Sequence, residues 1–77
     1  MTKNEFNALK YINQHTRTEG YPPSYQEIAD YLLIKSRANI HRIVESLMKQ
    51  GFIVKKIGSV RACFLTKVGK EFVKIQE

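Results

Sequence analysis

Only three residues, Leu33-Ile34-Lys35, separate two segments that each carry the marks of a helix. Ahead of the gap, Ser24-Tyr25-Gln26-Glu27 is a capping box, in which serine and glutamate satisfy free amides at a helix start. Ile28, Ala29 and Leu32 follow at helical spacing. Behind the gap, Ser36 is a natural cap for a helix that Gly51 ends. At about 100° per residue, Ile40, Ile43, Val44, Leu47 and Met48 crowd into one arc. Ala38, His41, Arg42, Glu45 and Lys49 point the opposite way, with Arg37, Asn39 and Ser46 at the flanks. Two helices joined by so short a turn, the second presenting a polar outer face, form a helix-turn-helix.

The neighbouring segments complete the pattern. Thr2-Lys3-Asn4-Glu5 is a first capping box, followed by Phe6, Leu9, Ile12 and Thr16 at helical spacing with Tyr11 at the edge. Gly20 stops that helix, and Pro22-Pro23 hold the chain extended. After Gly51 the period changes. Residues 52–57 and 60–65 are rich in β-branched and aromatic side chains and are separated by Gly58-Ser59, a two-residue hairpin signal. Thr66 can cap a last helix, on which the spacing places Val68, Phe72 and Ile75 inward and leaves Val73 on the other side for a dimer contact. The expected fold is α+β, mainly α: a winged helix-turn-helix with a three-helix bundle, a β-hairpin wing and a C-terminal helix. It forms a single domain over residues 1–77, with the helix-turn-helix at about 24–50, the wing at about 52–65 and the C-terminal helix at about 66–76.

Charge says which side of such a fold meets a partner. The chain carries a formal +6. Residues 1–34 hold three Lys or Arg against four acids, whereas residues 35–67 hold eight against Glu45 alone. The basic character therefore belongs to the block that contains the third helix and the hairpin, which points to a polyanion. With 43% hydrophobic residues the chain is not disordered by composition.

The residues of that block suggest roles. Arg42 can make a bidentate contact with guanine, and Asn39 with adenine. His41 can donate to a base or a phosphate, and Ala38 either meets a thymine methyl or only permits close approach. Ser36 and Arg37 sit at a helix start, where free amides and the dipole favour phosphate. Glu45 either accepts from cytosine or orients Arg42, the second being favoured, and Lys49 extends the same face. Lys55, Lys56, Ser59 and Arg61 surround the hairpin turn and suit phosphate or minor-groove contact. Lysines there also discourage edge-to-edge pairing of strands. Tyr11, Tyr21, Tyr25 and Tyr31 lie outside the basic block and are read as packing or partner residues.

Gly20-Tyr21-Pro22-Pro23-Ser24, Glu27-Ile28-Ala29, Leu32, Ser36, Leu47 and Gly51-Phe52-Ile53 resemble the N-terminal DNA-binding domain of the LexA repressors. The similarity runs over about residues 2–65 and includes Gly58 and Arg61 in the wing. Leu65-Thr66 with Gly69 is similar to the closing segment of other winged-helix regulators. The resemblance implies double-stranded DNA binding by a bacterial or phage transcription regulator, a repressor by type. The chain departs from the family pattern in three ways. Leu33 stands where the family usually has glycine, which strains the turn if φ is positive there. Helix three opens Ser-Arg-Ala-Asn rather than Ser-Pro, so the family's operator does not carry over. The Ser-Lys autocleavage domain is absent from these 77 residues.

An enzyme is not expected. His15, His41 and Cys63 show no CxxC or HxxxH spacing, there is no glycine-rich phosphate loop, and no metal or cofactor is implied. One cysteine allows no internal disulfide, and no apolar run reaches the ~20 residues of a membrane span. The expected location is cytoplasmic, on the nucleoid. A homodimer on a palindromic site is left open. The alternatives are a winged helix used for protein contacts and a non-specific nucleic-acid-binding protein.

Overall fold

The computed structural model describes residues 1–55 and 63–76. In chain order the elements are α1 (Lys3–Glu19), α2 (Tyr25–Leu32), α3 (Arg37–Lys49), β1 (Ile53–Lys55), β2 (Cys63–Leu65) and α4 (Lys67–Gln76). The order expected from the sequence, three helices, a hairpin and a helix, is the order found.

The three helix starts are built as their sequences dictate. Thr2 accepts from the Glu5 amide at 3.1 Å while its own amide donates to the Glu5 carboxylate at 3.2 Å. Ser24 and Glu27 repeat the exchange at 3.1 and 2.8 Å. Ser36 caps α3 by accepting from the Asn39 amide at 3.3 Å.

The ends of α2 and α3 share one device. At the end of α3, Gly51 has φ +83°, its amide donates to the Met48 carbonyl, and the Phe52 amide donates to the Leu47 carbonyl, both at 3.0 Å. This is the Schellman ending. At the end of α2 the same pair of bonds runs from Leu33 to Asp30 and from Ile34 to Ala29. Leu33 takes the left-handed position with φ +59° and ψ +37°. It is the one non-glycine residue with positive φ among the described residues. The turn of the helix-turn-helix therefore keeps the geometry that glycine suits and carries the strain of a Cβ there.

The core gathers Ala8, Leu9 and Ile12 of α1, Ile28 and Ala29 of α2, and Ile40, Val44 and Leu47 of α3. Ile53, Cys63 and Val73 close it from the two strands and α4. The strands pair antiparallel with Ile53 opposite Leu65, Val54 opposite Phe64 and Lys55 opposite Cys63. Residues opposite one another share a face, so Lys55 stands on the same side of the hairpin as buried Ile53 and Cys63.

The last helix corrects the reading by periodicity. Val73 is fully buried, while Val68 and Ile75 are exposed and Phe72 is half-buried. Phe72 packs edge-on to Phe6 with centroids 6.0 Å apart and lies 4.7 Å from Phe52. The cause is Gly69, whose backbone lies against Phe52; a Cβ there would sit 2.1 Å from the Phe52 carbonyl oxygen. The glycine side of α4 faces inward, taking Val73 with it and turning Val68 and Ile75 out. Thr66 caps this helix as expected, accepting from the Gly69 amide at 3.0 Å while donating to the Gly51 carbonyl at 2.6 Å.

Candidate nucleic-acid interface

Buried Ile40, Val44 and Leu47 fix the rotation of α3 about its axis, and every candidate on its other side is exposed: Arg37, Ala38, Asn39, His41, Arg42, Glu45 and Lys49. Ser36, at the cap, is exposed as well. The structure divides this set by position. Ala38, Glu45 and Lys49 lie along the outward ridge. Ser36, Arg37 and His41 line a cleft of about 570 Å³ that also takes in Lys35 and Lys55. Asn39 and Arg42 line a groove of about 500 Å³ on the other flank, formed with the start of α1 at Lys3 and Asn4. Among the described residues no ion pair joins Arg42 to Glu45, so the expected orienting role of Glu45 is not seen. Both side chains stand in solvent, where an exposed pair gains little over hydration.

One aromatic ring joins α3 to the base of the hairpin. Tyr25, the first residue of α2, packs edge-to-face against His41 with centroids 4.9 Å apart. The Lys55 ammonium lies 5.8 Å from the centre of the same ring, within cation–π range. Burial above all, with the charges of Cys63 and Glu45 adding to it, holds the Tyr25 hydroxyl above the usual phenol range. It is therefore a neutral hydrogen-bond donor in this cleft at ordinary pH. Beneath it, burial pushes the Cys63 thiol up to about 11, with the Lys55 ammonium pulling the other way. Cys63 is a small packing group of the core, as its place in a strand suggests.

Lys3 was not among the residues singled out from the sequence, and Tyr25 was read as a packing or partner residue outside the basic block rather than as part of this interface. Both lie in the part of the chain with no basic excess, and only the crossing of α1 and α2 over α3 brings them to the interface. The signal that could have found Tyr25 is its position. The first helix of a helix-turn-helix crosses the DNA backbone, so its opening residues border the same surface. Of the other tyrosines, Tyr11 and Tyr31 stack with centroids 4.3 Å apart on the α1–α2 side. Lys56, Ser59 and Arg61 of the expected wing tip lie outside the described residues.

The family profile of the LexA DNA binding domain matches residues 1–62. The chain belongs to the LexA DNA-binding domain family. This is a DNA-binding family rather than a catalytic one. Among its LexA relatives is the LexA repressor of Pelagibacter ubique (strain HTCC1062), 38% identical over 68 residues. That alignment covers 88% of this chain and 30% of the repressor, so the chain spans under a third of that relative's length. In fold, the LexA-type domain resembles a solved structure of a MepR variant from S. aureus with a TM-score of 0.76 at 18% identity. The match covers 97% of this chain and 55% of the other, and it shows a winged helix-turn-helix. No helix among the described residues is long and apolar enough to cross a membrane.

Proposed function

We propose that the chain binds double-stranded DNA as the reading module of a transcriptional repressor, with α3 in the major groove and the hairpin on phosphates. The observation that carries this is the Tyr25 ring held between His41 and Lys55. It makes the outward face of α3 and the base of the hairpin one continuous surface within the basic block. Arg42 and Asn39 read base edges from one flank, and His41 from the other. Ser36, Arg37 and Lys55 hold phosphate, with Lys35 beside them in the cleft and Lys3 by the groove. Lys56, Ser59 and Arg61 enter the reading on their place in the sequence alone. Ala38 allows close approach on the ridge, Glu45 discriminates against misplaced phosphate, and Lys49 adds charge farther along α3. Two copies on a two-fold-related site gain by avidity what one small module lacks.

The test is selection from random duplex DNA followed by fluorescence anisotropy on the recovered sequence. With about four to six phosphates neutralised, affinity falls with salt at a log–log slope of roughly −4 to −5. Arg42→Ala costs about 1–3 kcal/mol on the selected sequence and far less on random duplex if it reads a base. Tyr25→Phe keeps the ring and leaves Lys55 and His41 in place. Tyr25→Leu removes it and costs ~1 kcal/mol, about fivefold in affinity. Failure to bind any duplex, or binding untouched by Arg42→Ala, Arg37→Ala and Tyr25→Leu together, would overturn the reading in favour of a protein-interaction module.

A further inference from the structure

The cleft beside α3 is more apolar than a phosphate contact needs. Its volume is about 570 Å³, inside the ~300–1,000 Å³ range of small-molecule sites. Ala29, Ile34 and Ile40 line it from α2, the turn and α3, and Ala29 and Ile40 are buried members of the core. The cleft therefore reaches down to the core, and the Tyr25 ring forms a further wall. At its rim stand Lys35, Arg37 and Lys55, all exposed, against Asp30 as the one acid among the described lining residues. The Asp30 carboxylate already accepts from the Gln26 side-chain amide at 2.9 Å.

We infer that this cleft binds a small planar aromatic acid, a monocarboxylate on one or two fused rings, which competes with DNA. A phosphate is held by charge and hydrogen bonds, and apolar walls add nothing to it. A flat hydrocarbon gains from those walls, because it lies against Ile34, Ile40 and the Tyr25 ring and leaves water. Its carboxylate stays at the rim, beside the Lys55 ammonium and the Arg37 guanidinium. Lys55 lies 5.8 Å from the centre of the Tyr25 ring, so the wall that takes the hydrocarbon and the charge that takes the carboxylate share one corner. A neutral aromatic uses only the first, and an inorganic anion only the second.

Bound there, the acid neutralises Arg37 and Lys55 and covers the start of α3, the groups assigned above to phosphate. It therefore releases DNA, and this regulatory part rests on the DNA-binding reading. Binding of the acid itself is measured without DNA, and DNA affinity without the acid, so either can fail while the other stands.

The test is titration of the isotope-labelled chain with 2-naphthoate, followed by NMR, with sodium acetate holding the ionic strength constant. A ligand of about thirteen non-hydrogen atoms at ordinary efficiency binds with a Kd of ~1 mM. Saturable shifts are expected at Ala29, Ile34, Ile40 and the Tyr25 ring. Ile34→Ala, which shortens the apolar wall and touches no charge, weakens binding several-fold, as does Lys55→Gln at the rim. The spectra of the free variants show that each is folded. The neutral analogue 2-naphthalenemethanol and inorganic phosphate each bind several-fold more weakly than the acid. On duplex DNA, naphthoate at ten times its own Kd lowers the affinity of the parent about tenfold by mass action, and that of Ile34→Ala several-fold less. No saturation by ~10 mM, equal binding of the alcohol or of phosphate, or binding indifferent to both substitutions would overturn the site. Saturation with naphthoate that leaves DNA affinity unchanged would overturn the competition.

Discussion

Gly69 sits inside a helix, where alanine ordinarily stabilises by about 0.5–1 kcal/mol. The structure predicts the opposite sign for Gly69→Ala. The added methyl would meet the Phe52 carbonyl oxygen at 2.1 Å, its carbon at 3.0 Å and its Cα at 3.2 Å, all of them backbone atoms. An ordinary carbon–oxygen contact is about 3.3 Å or longer, so α4 must withdraw by roughly 1 Å. That movement strains two hydrogen bonds at the same corner. They run from the Thr66 amide to the Phe52 carbonyl at 3.0 Å and from the Thr66 hydroxyl to the Gly51 carbonyl at 2.6 Å. It also loosens fully buried Val73. Overpacking costs about 1–3 kcal/mol and each weakened hydrogen bond about 1 kcal/mol. After crediting the helix propensity, the net loss is ~3 kcal/mol, a fall in Tm of about 12–24 °C for a domain this size. Thermal and urea unfolding followed by circular dichroism measure it. Gly51→Ala is the control, because Gly51 has φ +83° and nothing within 4 Å of an added Cβ. It costs about 1 kcal/mol through the backbone alone. A Gly69→Ala protein as stable as the parent, or more so, would refute the argument that contact with Phe52 decides how α4 docks.

Leu33→Gly relieves the positive φ at the turn and removes a side chain that is 89% exposed, so no burial is lost. Relief of about 1–2 kcal/mol, less the greater freedom of glycine in the unfolded chain, leaves a gain of about 0.5–1 kcal/mol. The same unfolding experiment reads it, and no gain would show that the turn is unstrained. The Cys63 thiol, raised to about 11 by burial, stays protonated in the folded chain while it ionises in the unfolded one near 9. Stability is therefore complete below about pH 9 and falls as pH rises towards 11, by about 2–3 kcal/mol from this group. Cys63→Ala removes that part of the pH dependence, and matching alkaline profiles for the two proteins would contradict it.

The short-range rules of the chain were enough to place most of the fold. Capping boxes at Thr2 and Ser24, a cap at Ser36, and glycine at positions 20 and 51 are decided by hydrogen bonds and dihedral angles within a few residues, so they can be read in one dimension. The outward face of α3 was legible for a related reason. Its apolar arc is narrow and unbroken, so only one rotation buries it.

Where a helix has apolar residues on more than one side, its own sequence does not choose among them. On α4 the choice fell to Gly69, which lets the backbone of Phe52 approach, and this buries Val73 instead of Val68 and Ile75. Tyr25 and Lys3 reached the interface in the same way, through the crossing of helices distant in the chain. Local sequence determined the helices, their ends and which residues of α3 face outward, because those depend on neighbours along the chain. Tertiary packing decided which side of α4 is buried and which residues from the half without a basic excess join the basic surface, because those depend on contacts between residues far apart in sequence.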